Sequence, residues 1–126
     1  MIFNVWKEIK QKKLQSIYLL LGKEAFLMQE TVQLIINAAL NDEEKDFNLS
    51  IYDMEETSID TAIEDAETLP FMGEKRVVII KNPFFLTSEK KKEKVEHKLD
   101  KLEQYLNSPA PYTILLFVAP YEKLDE

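Results

Sequence analysis

The junction between the first apolar run and the next helix pattern is the position at which a phosphate-binding loop would lie. It reads Leu21-Gly22-Lys23-Glu24. A phosphate loop needs several glycines, so that backbone N–H groups can wrap the phosphates, and a Lys followed by Ser or Thr. Here Gly22 and Gly73 are the only glycines in the chain, and the carboxylate of Glu24 would repel phosphate from the positive end of the helix. We therefore interpret Gly22, Lys23 and Glu24 as a degenerate, non-functional nucleotide loop.

The second half of a nucleotide site is also missing. An apolar strand that ends in acidic residues would hold magnesium and position water. The apolar strand is present at residues 77–80, but Lys81 and Asn82 follow it. Lys81 also occupies the position where a phospho-acceptor receiver domain needs an aspartate. We expect no ATP hydrolysis by this chain. The enzyme alternative is a divergent NTPase or phosphotransferase that uses Lys23 and the acidic residues.

Few other residues could support catalysis or bind a metal. The chain has no cysteine and one histidine, His97, which lies among charged residues without a nucleophile motif. The carboxylates form two groups that lack the spacing and glycine turn of an EF-hand. They are Asp42, Glu43, Glu44 and Asp46, then Asp53, Glu55, Glu56, Asp60, Glu64, Asp65 and Glu67. We interpret them as loop charges and one solvated helix face, and predict no catalytic residue, no metal and no cofactor.

Composition favours one cytoplasmic globular domain. The chain has 126 residues, of which 45% are hydrophobic and 31% charged, and no run reaches the ~20 apolar residues of a membrane span. The net charge of −7 disfavours autonomous DNA binding. A lysine-rich helix predicted at residues 88–107 keeps one alternative open, a DNA-binding or other protein-interaction module. Interleaved acidic residues in that helix favour a solvated surface instead.

Hydrophobic periodicity predicts an alternation of helices and strands. Helices are expected at residues 2–14, 24–40, 58–69 and 88–107, and strands at 17–21, 47–52, 76–80 and 112–118. The strand at 17–21 is expected to be buried on both faces, the strand at 47–52 to be half-buried or at an edge, and residues 41–46 to form a loop. This order predicts a three-layer α/β fold with a mainly parallel sheet. Residues 1–126 make a single domain, which we expect to belong to a longer protein.

The segment after the third predicted helix is unusual. Leu69 closes the apolar stripe of that helix, and Pro70 and Gly73 then make the chain turn. Turns lie at the surface, yet Phe71 and Met72 are large and apolar. Either these side chains fold back on the core, or residues 69–72, called the apolar turn below, insert into a pocket of a partner, which gains ~1.5–3 kcal/mol for each buried side chain.

Three stretches, in order, span nearly the whole chain and resemble one known family. They read Tyr18-Leu19-Leu20-Leu21-Gly22-Lys23-Glu24-Ala25-Phe26-Leu27, then Leu69-Pro70-Phe71-Met72-Gly73-Glu74-Lys75-Arg76 leading into Val77-Val78-Ile79-Ile80, then Tyr112-Thr113-Ile114-Leu115-Leu116-Phe117-Val118. Together they are similar to the N-terminal domain of the delta subunit of bacterial DNA polymerase III, a clamp-loader subunit. The resemblance implies a degenerate AAA+ or P-loop-like fold that has lost ATP binding, and a non-catalytic subunit of the polymerase holoenzyme that acts in DNA replication.

The resemblance also implies a binding site and partners. In the family, an apolar pair at this position enters a hydrophobic pocket on the sliding clamp and helps to open the ring. Leu69 and Phe71 are the matching pair, with Pro70 and Met72 as neighbours. Some clamp-binding motifs place a Gln before adjacent Leu and Phe, whereas here Thr68 precedes and Pro70 separates the pair. The family's lid and collar domains, which assemble with the delta prime and tau/gamma subunits, are absent from residues 1–126, and DNA contact is expected to be indirect or weak.

Overall fold

A four-stranded sheet with helices on both faces forms the molecule. The computed structural model describes residues 2–22, 24–83 and 99–119, with side chains from residue 6 onward. The elements, in chain order, are α1 (Ile2–Lys10), β1 (Ile17–Leu21), α2 (Ala25–Ala39), α3 (Lys45–Asn48), β2 (Leu49–Asp53), α4 (Ile59–Ala66), β3 (Arg76–Lys81), α5 (Asp100–Asn107) and β4 (Thr113–Ala119).

The strands are parallel and lie in the order β1-β4-β3-β2. The chain crosses from one edge of the sheet to the other between β1 and β2, and then returns strand by strand to β4. Because parallel crossovers are right-handed, this reversal of direction places the connecting helices on opposite faces. The predicted three-layer α/β fold with a parallel sheet is confirmed.

The two central strands explain the continuous apolar runs of the sequence. Along β3, Val77 and Ile79 pack with α1 and α2, whereas Val78 and Ile80 pack with α4 and α5. The residues of β4 alternate in the same way. Since both faces of these strands are covered, every position except the ends must be apolar, which is the pattern of a buried parallel strand.

The prediction that the first strand is buried on both faces was wrong. β1 is an edge strand that pairs with β4, and Leu19 and Leu21 are each 41% exposed. Its other face does pack, because Tyr18 and Leu20 contact the cluster beneath α1 and α2. An apolar run of five residues looks the same in a central strand and in an edge strand, so the sequence pattern could not distinguish them.

The stretch before the second strand differs from its prediction. Residues 41–46 were expected to form a loop and Phe47 to begin the strand, but Lys45–Asn48 form the short helix α3 and β2 begins at Leu49. β2 is an edge strand, as expected. The change matters because α3 places Asn48 inside the protein and Phe47 on its surface.

Two expectations fall partly or wholly outside the described residues. A lysine-rich helix was predicted at residues 88–107, and the structure describes its last part, Asp100–Asn107, as α5. Residues 84–98, including His97, lie outside the described residues. Lys23 lies outside them too. Within the described part of the chain, no helix is long and apolar enough to cross a membrane.

Candidate functional site

The apolar turn begins where α4 ends. The helix ends at Ala66, three residues earlier than predicted, and its buried side chains are Ile59, Ala62, Ile63 and Ala66. Leu69 was expected to complete this buried stripe, and that was wrong. Because the helix has already ended, Leu69 projects from the surface and is 71% exposed.

Four successive carbonyl groups at this end of the helix each accept a hydrogen bond from a side chain. Thr113 Oγ1 donates to the carbonyl of Ala66 at 2.5 Å, and the hydroxyl of Tyr112 donates to that of Glu67 at 2.5 Å. Arg76 donates to the next two, from Nε to Thr68 at 3.1 Å and from Nη2 to Leu69 at 3.3 Å. The last carbonyls of a helix have no partners within the helix. Of the four, only the Ala66 carbonyl belongs to α4, and the other three follow it. Side chains at the amino-terminal ends of β3 and β4 bind all four and fix the direction in which the chain leaves α4.

The Arg76 guanidinium is buried, and its charge is balanced by Asp65. The Nη1–Oδ1 distance is 2.8 Å, and the second carboxylate oxygen of Asp65 accepts a 2.5 Å hydrogen bond from the Tyr52 hydroxyl. Burial, followed by the hydrogen bond and negative charge of Asp65, raises the pKa of Tyr52 from 10.0 to about 12. Removing one member of such a buried charge network leaves the other without compensation.

Asn48 holds the middle of the apolar turn. Its side chain is fully buried and makes two hydrogen bonds to the backbone of one residue, Phe71. The Phe71 N–H donates to Oδ1 at 2.7 Å, and Nδ2 donates to the Phe71 carbonyl at 2.8 Å. This pairing resembles one rung of a sheet ladder. It fixes the Phe71 backbone while leaving its side chain free to point outward.

The backbone after Phe71 is also constrained. Met72 has a φ of 53°, a left-handed conformation that is uncommon for a residue with a side chain. A Cβ atom on Gly73 would lie 2.1 Å from Oε2 of Glu44 and 3.1 Å from Nδ2 of Asn48. The Glu44 carboxylate ends a flexible side chain and can move, so the contact with the buried Asn48 is the stricter one. Gly73 thus eases the close approach to α3, whereas Met72 supplies the left-handed turn.

The side chains of the apolar turn do not fold back on the core. Phe71 is 54% exposed and Met72 is 83% exposed, in addition to Leu69, while Pro70 is half-buried. The Phe71 ring lies against Phe47 of α3, with ring centroids 5.3 Å apart and planes at 60°. The structure thus displays an apolar surface on a backbone that buried polar groups hold in place.

The residues predicted to form a degenerate nucleotide loop lie at the other end of the strands. Gly22 follows the carboxyl end of β1, has a φ of 137° and donates its N–H to the Ala119 carbonyl at 3.1 Å. Glu24 precedes α2 without a side-chain capping hydrogen bond. The apolar turn precedes the amino end of β3. Since all strands are parallel, the two predicted sites lie at opposite ends of the strands. The structure does not bring them together.

The remaining acidic residues do not converge. At the carboxyl ends of the strands, Oδ1 of Asp53 accepts hydrogen bonds from Asn82 Nδ2 at 3.1 Å and from the Glu55 N–H at 2.9 Å. At the amino ends of the strands, Asp42 forms an ion pair with Lys45, with 3.0 Å between Oδ1 and Nζ. Over the described ranges, no three His, Cys, Asp or Glu side chains form a group that could hold a metal ion.

Comparison with known proteins places the chain in a family. The family model for the delta subunit of DNA polymerase III matches residues 18–126. The DNA polymerase III subunit delta of Bacillus subtilis (strain 168) is 58% identical over all 126 residues. The chain belongs to the DNA polymerase III delta subunit family. The resemblance expected from the sequence is confirmed.

Solved structures agree on the fold. The Bacillus subtilis DNA clamp loader delta protein matches the whole chain with a TM-score of 0.95 at 58% identity. A DNA polymerase III gamma subunit-related protein from Thermotoga maritima matches 95% of the chain with a TM-score of 0.52 at 11% identity, a likeness of fold alone. The chain spans about a third of the delta relatives, 36% and 37% of their lengths.

The residues that position the apolar turn were missed at the sequence level. Arg76 was noted only as the start of a strand, and Asn48 as a polar residue within one. The available signal was an arginine directly before four β-branched apolar residues, because a charged group at the mouth of a buried strand needs a buried partner. The sequence does not say which carboxylate provides it.

We predict that replacing Asn48 loosens the apolar turn. Asn48→Ala leaves the backbone groups of Phe71 without their buried partner, which should lower the free energy of unfolding by ~1–3 kcal/mol and speed exchange of the Phe71 amide. Asn48→Asp keeps the acceptor oxygen but places a buried carboxylate against the Phe71 carbonyl, and should be at least as destabilising at neutral pH. Denaturant unfolding and amide hydrogen exchange test this, and unchanged protection of the Phe71 amide in Asn48→Ala would contradict it.

We also predict an alkaline dependence of stability that comes from Tyr52. Because the folded-state pKa is raised to about 12 from 10.0, the neutral phenol stabilises the fold fully below pH 10, and this contribution is lost as pH rises through about 12. The difference in unfolding free energy between wild type and Tyr52→Phe should be constant below pH 10 and decrease above it. Denaturant titrations across this range measure the difference, and a pH-independent value would refute the assignment.

Proposed function

We propose that this chain is the clamp-binding part of a delta subunit that acts in DNA replication, and that the apolar turn docks into a hydrophobic pocket of the ring-shaped sliding clamp. One observation carries the proposal: large apolar side chains project from a backbone that buried polar groups hold rigidly. Membership of the delta subunit family supports the choice of a sliding clamp as the partner. Binding at this surface would then help to open the ring.

Burial of the exposed side chains would contribute much of the binding free energy. Burying each of Leu69, Phe71 and Met72 is worth ~1.5–3 kcal/mol. Interfaces concentrate their binding energy in a few such residues that enter pockets of the partner. A contiguous apolar surface on a water-soluble domain is typical of a binding site.

The fixed backbone supports the same proposal. Association costs about 0.5–1.5 kcal/mol for each side chain that must be immobilised, and loops add further ordering costs. The hydrogen bonds from Asn48 and Arg76 restrict the backbone before any partner arrives. Pro70 separates the two exposed side chains of the pair, and its ring fixes the backbone φ angle between them. No glutamine precedes the pair. The surface therefore uses a different local arrangement from motifs with adjacent Leu and Phe.

We infer that the chain does not hydrolyse ATP and that its AAA+-like nucleotide site is degenerate. Glu24 lies directly before α2, where an anion disfavours phosphate, and β3 ends in Lys81 followed by Asn82. The energy for clamp opening would come from the delta prime and tau/gamma subunits, through lid and collar domains outside this chain.

The DNA-binding alternative gains no support from the described residues. In α5, Leu102 and Tyr105 are buried against the core. Lys101 lies 3.3 Å from Glu64, and acidic Asp100 and Glu103 are in the same helix. The other lysines of that alternative lie outside the described residues.

We predict that the double substitution Leu69→Ala and Phe71→Ala abolishes clamp binding while the domain stays folded. Two truncations at ~2 kcal/mol each should weaken the Kd on the order of a thousandfold. Calorimetric titration against a bacterial sliding clamp from a matching organism measures this. Phe26→Ala is the matched control. Phe26 is 72% exposed and lies at the opposite end of the strands, so its substitution should leave the Kd unchanged. Equal binding by wild type and the double variant would refute the site.

We predict no saturable binding of ATP with magnesium. Calorimetric titration of the chain with the nucleotide should give only heats of dilution, because the glycines and the acidic strand end that such a site needs are missing. A saturable heat that Lys23→Ala removes would show a working nucleotide site and support the enzyme alternative instead.

A further inference from the structure

We propose that Phe47 is a third contact residue of the docking surface, and that this surface receives a side chain of the clamp as well as inserting its own. The inference rests on the proposed function, because it extends the same binding site. Phe47 belongs to α3, on a segment separate from the apolar turn, and its ring packs against Phe71. The sequence analysis placed Phe47 in a strand and gave it no role.

The exposure of Phe47 needs an explanation. Its neighbour Asn48 is fully buried and committed to the Phe71 backbone, so the short helix α3 must turn Phe47 toward the surface. Phe47 remains 55% exposed even with Phe71 beside it. The two rings together extend the apolar surface across two segments of the chain. Folding of this domain alone does not require an aromatic residue at a position that is more than half exposed.

A cleft opens beside the two rings. It has a volume of about 110 Å³ and is lined by Asn41, Glu43, Glu44, Phe47, Phe71 and Met72. A water molecule occupies ~30 Å³ in the liquid, so the cleft has room for one aliphatic side chain. A partner that covers the apolar turn lies directly over this opening, and a side chain inserted there would contact both rings.

The rim of the cleft indicates the chemistry of the incoming segment. Glu43 and Glu44 line one side, and the cation of the neighbouring Lys45 is already paired with Asp42 and hydrogen-bonded to Asn37. The cleft therefore combines an aromatic floor with an acidic edge. The matching occupant is an apolar side chain next to a lysine or arginine, on the clamp surface that borders the hydrophobic pocket.

The first test compares alanine variants in the clamp titration. Phe47→Ala should weaken the Kd about tenfold, in the range of a central interface residue, whereas Phe26→Ala should stay within about twofold of wild type. If Leu69→Ala with Phe71→Ala loses binding but Phe47→Ala matches the Phe26→Ala control, the third contact is wrong and the docking site stands. If the double variant binds like wild type, both proposals are wrong.

The second test separates direct contact from support of Phe71. Phe47→Trp places a fluorophore at the cleft, while Trp6, the only native tryptophan, gives the same background in every variant. Addition of clamp should shift the emission of Phe47→Trp to shorter wavelength and leave Phe26→Trp unchanged. An unshifted spectrum at saturating clamp would overturn the contact, even if Phe47→Ala weakens binding.

The acidic rim has its own readout. Glu43→Gln should lower the association rate a few-fold at low salt, and the difference from wild type should disappear as ionic strength rises. A faster association rate for Glu43→Gln would show that the facing clamp surface is acidic and would overturn the assignment of a basic neighbour.

Discussion

The candidate site depends on the ion pair and the hydrogen bonds of the buried Arg76 guanidinium. Its charge is balanced by Asp65, and it donates to the Thr68 and Leu69 carbonyls, so one side chain joins α4 to the residues that follow it. A lysine could not replace it, because a single ammonium group lacks the planar fork that reaches three acceptors at once. Those bonds offset the cost of burying this charge. They also fix a single path for the chain between α4 and β3.

That path resolves an apparent conflict in the apolar turn. Exposed apolar side chains usually lower their free energy by folding back on the core, and Phe71 and Met72 would be expected to do so. They remain outside because the backbone beneath them already has its hydrogen bonds made, to Asn48 on one side and to Arg76 on the other. Folding back would break these bonds and leave buried polar groups unpaired, which costs ~1–3 kcal/mol each. Polar contacts inside the protein thus maintain an apolar surface outside it.

Sequence periodicity predicted the elements that are buried on both faces and failed where a long-range contact decides the structure. β3 and β4 were predicted nearly to their observed bounds, because central parallel strands must be apolar at successive positions. β1 carries the same pattern yet lies at an edge, and only the strand order shows it. Asn48 reads locally as a polar strand residue, but its partner Phe71 is 23 positions away. Such a pairing has no local signature, so the positioning of the site could not be predicted from one sequence.

The two predicted sites lie at opposite ends of the parallel strands. The degenerate loop follows the carboxyl end of β1, whereas the side chains that fix the apolar turn come from α3, α4 and the amino-terminal ends of β3 and β4. Among the described hydrogen bonds of the turn, none comes from Gly22 or Glu24. Substitutions in the predicted nucleotide loop are therefore expected to leave the hydrogen bonds of the apolar turn intact.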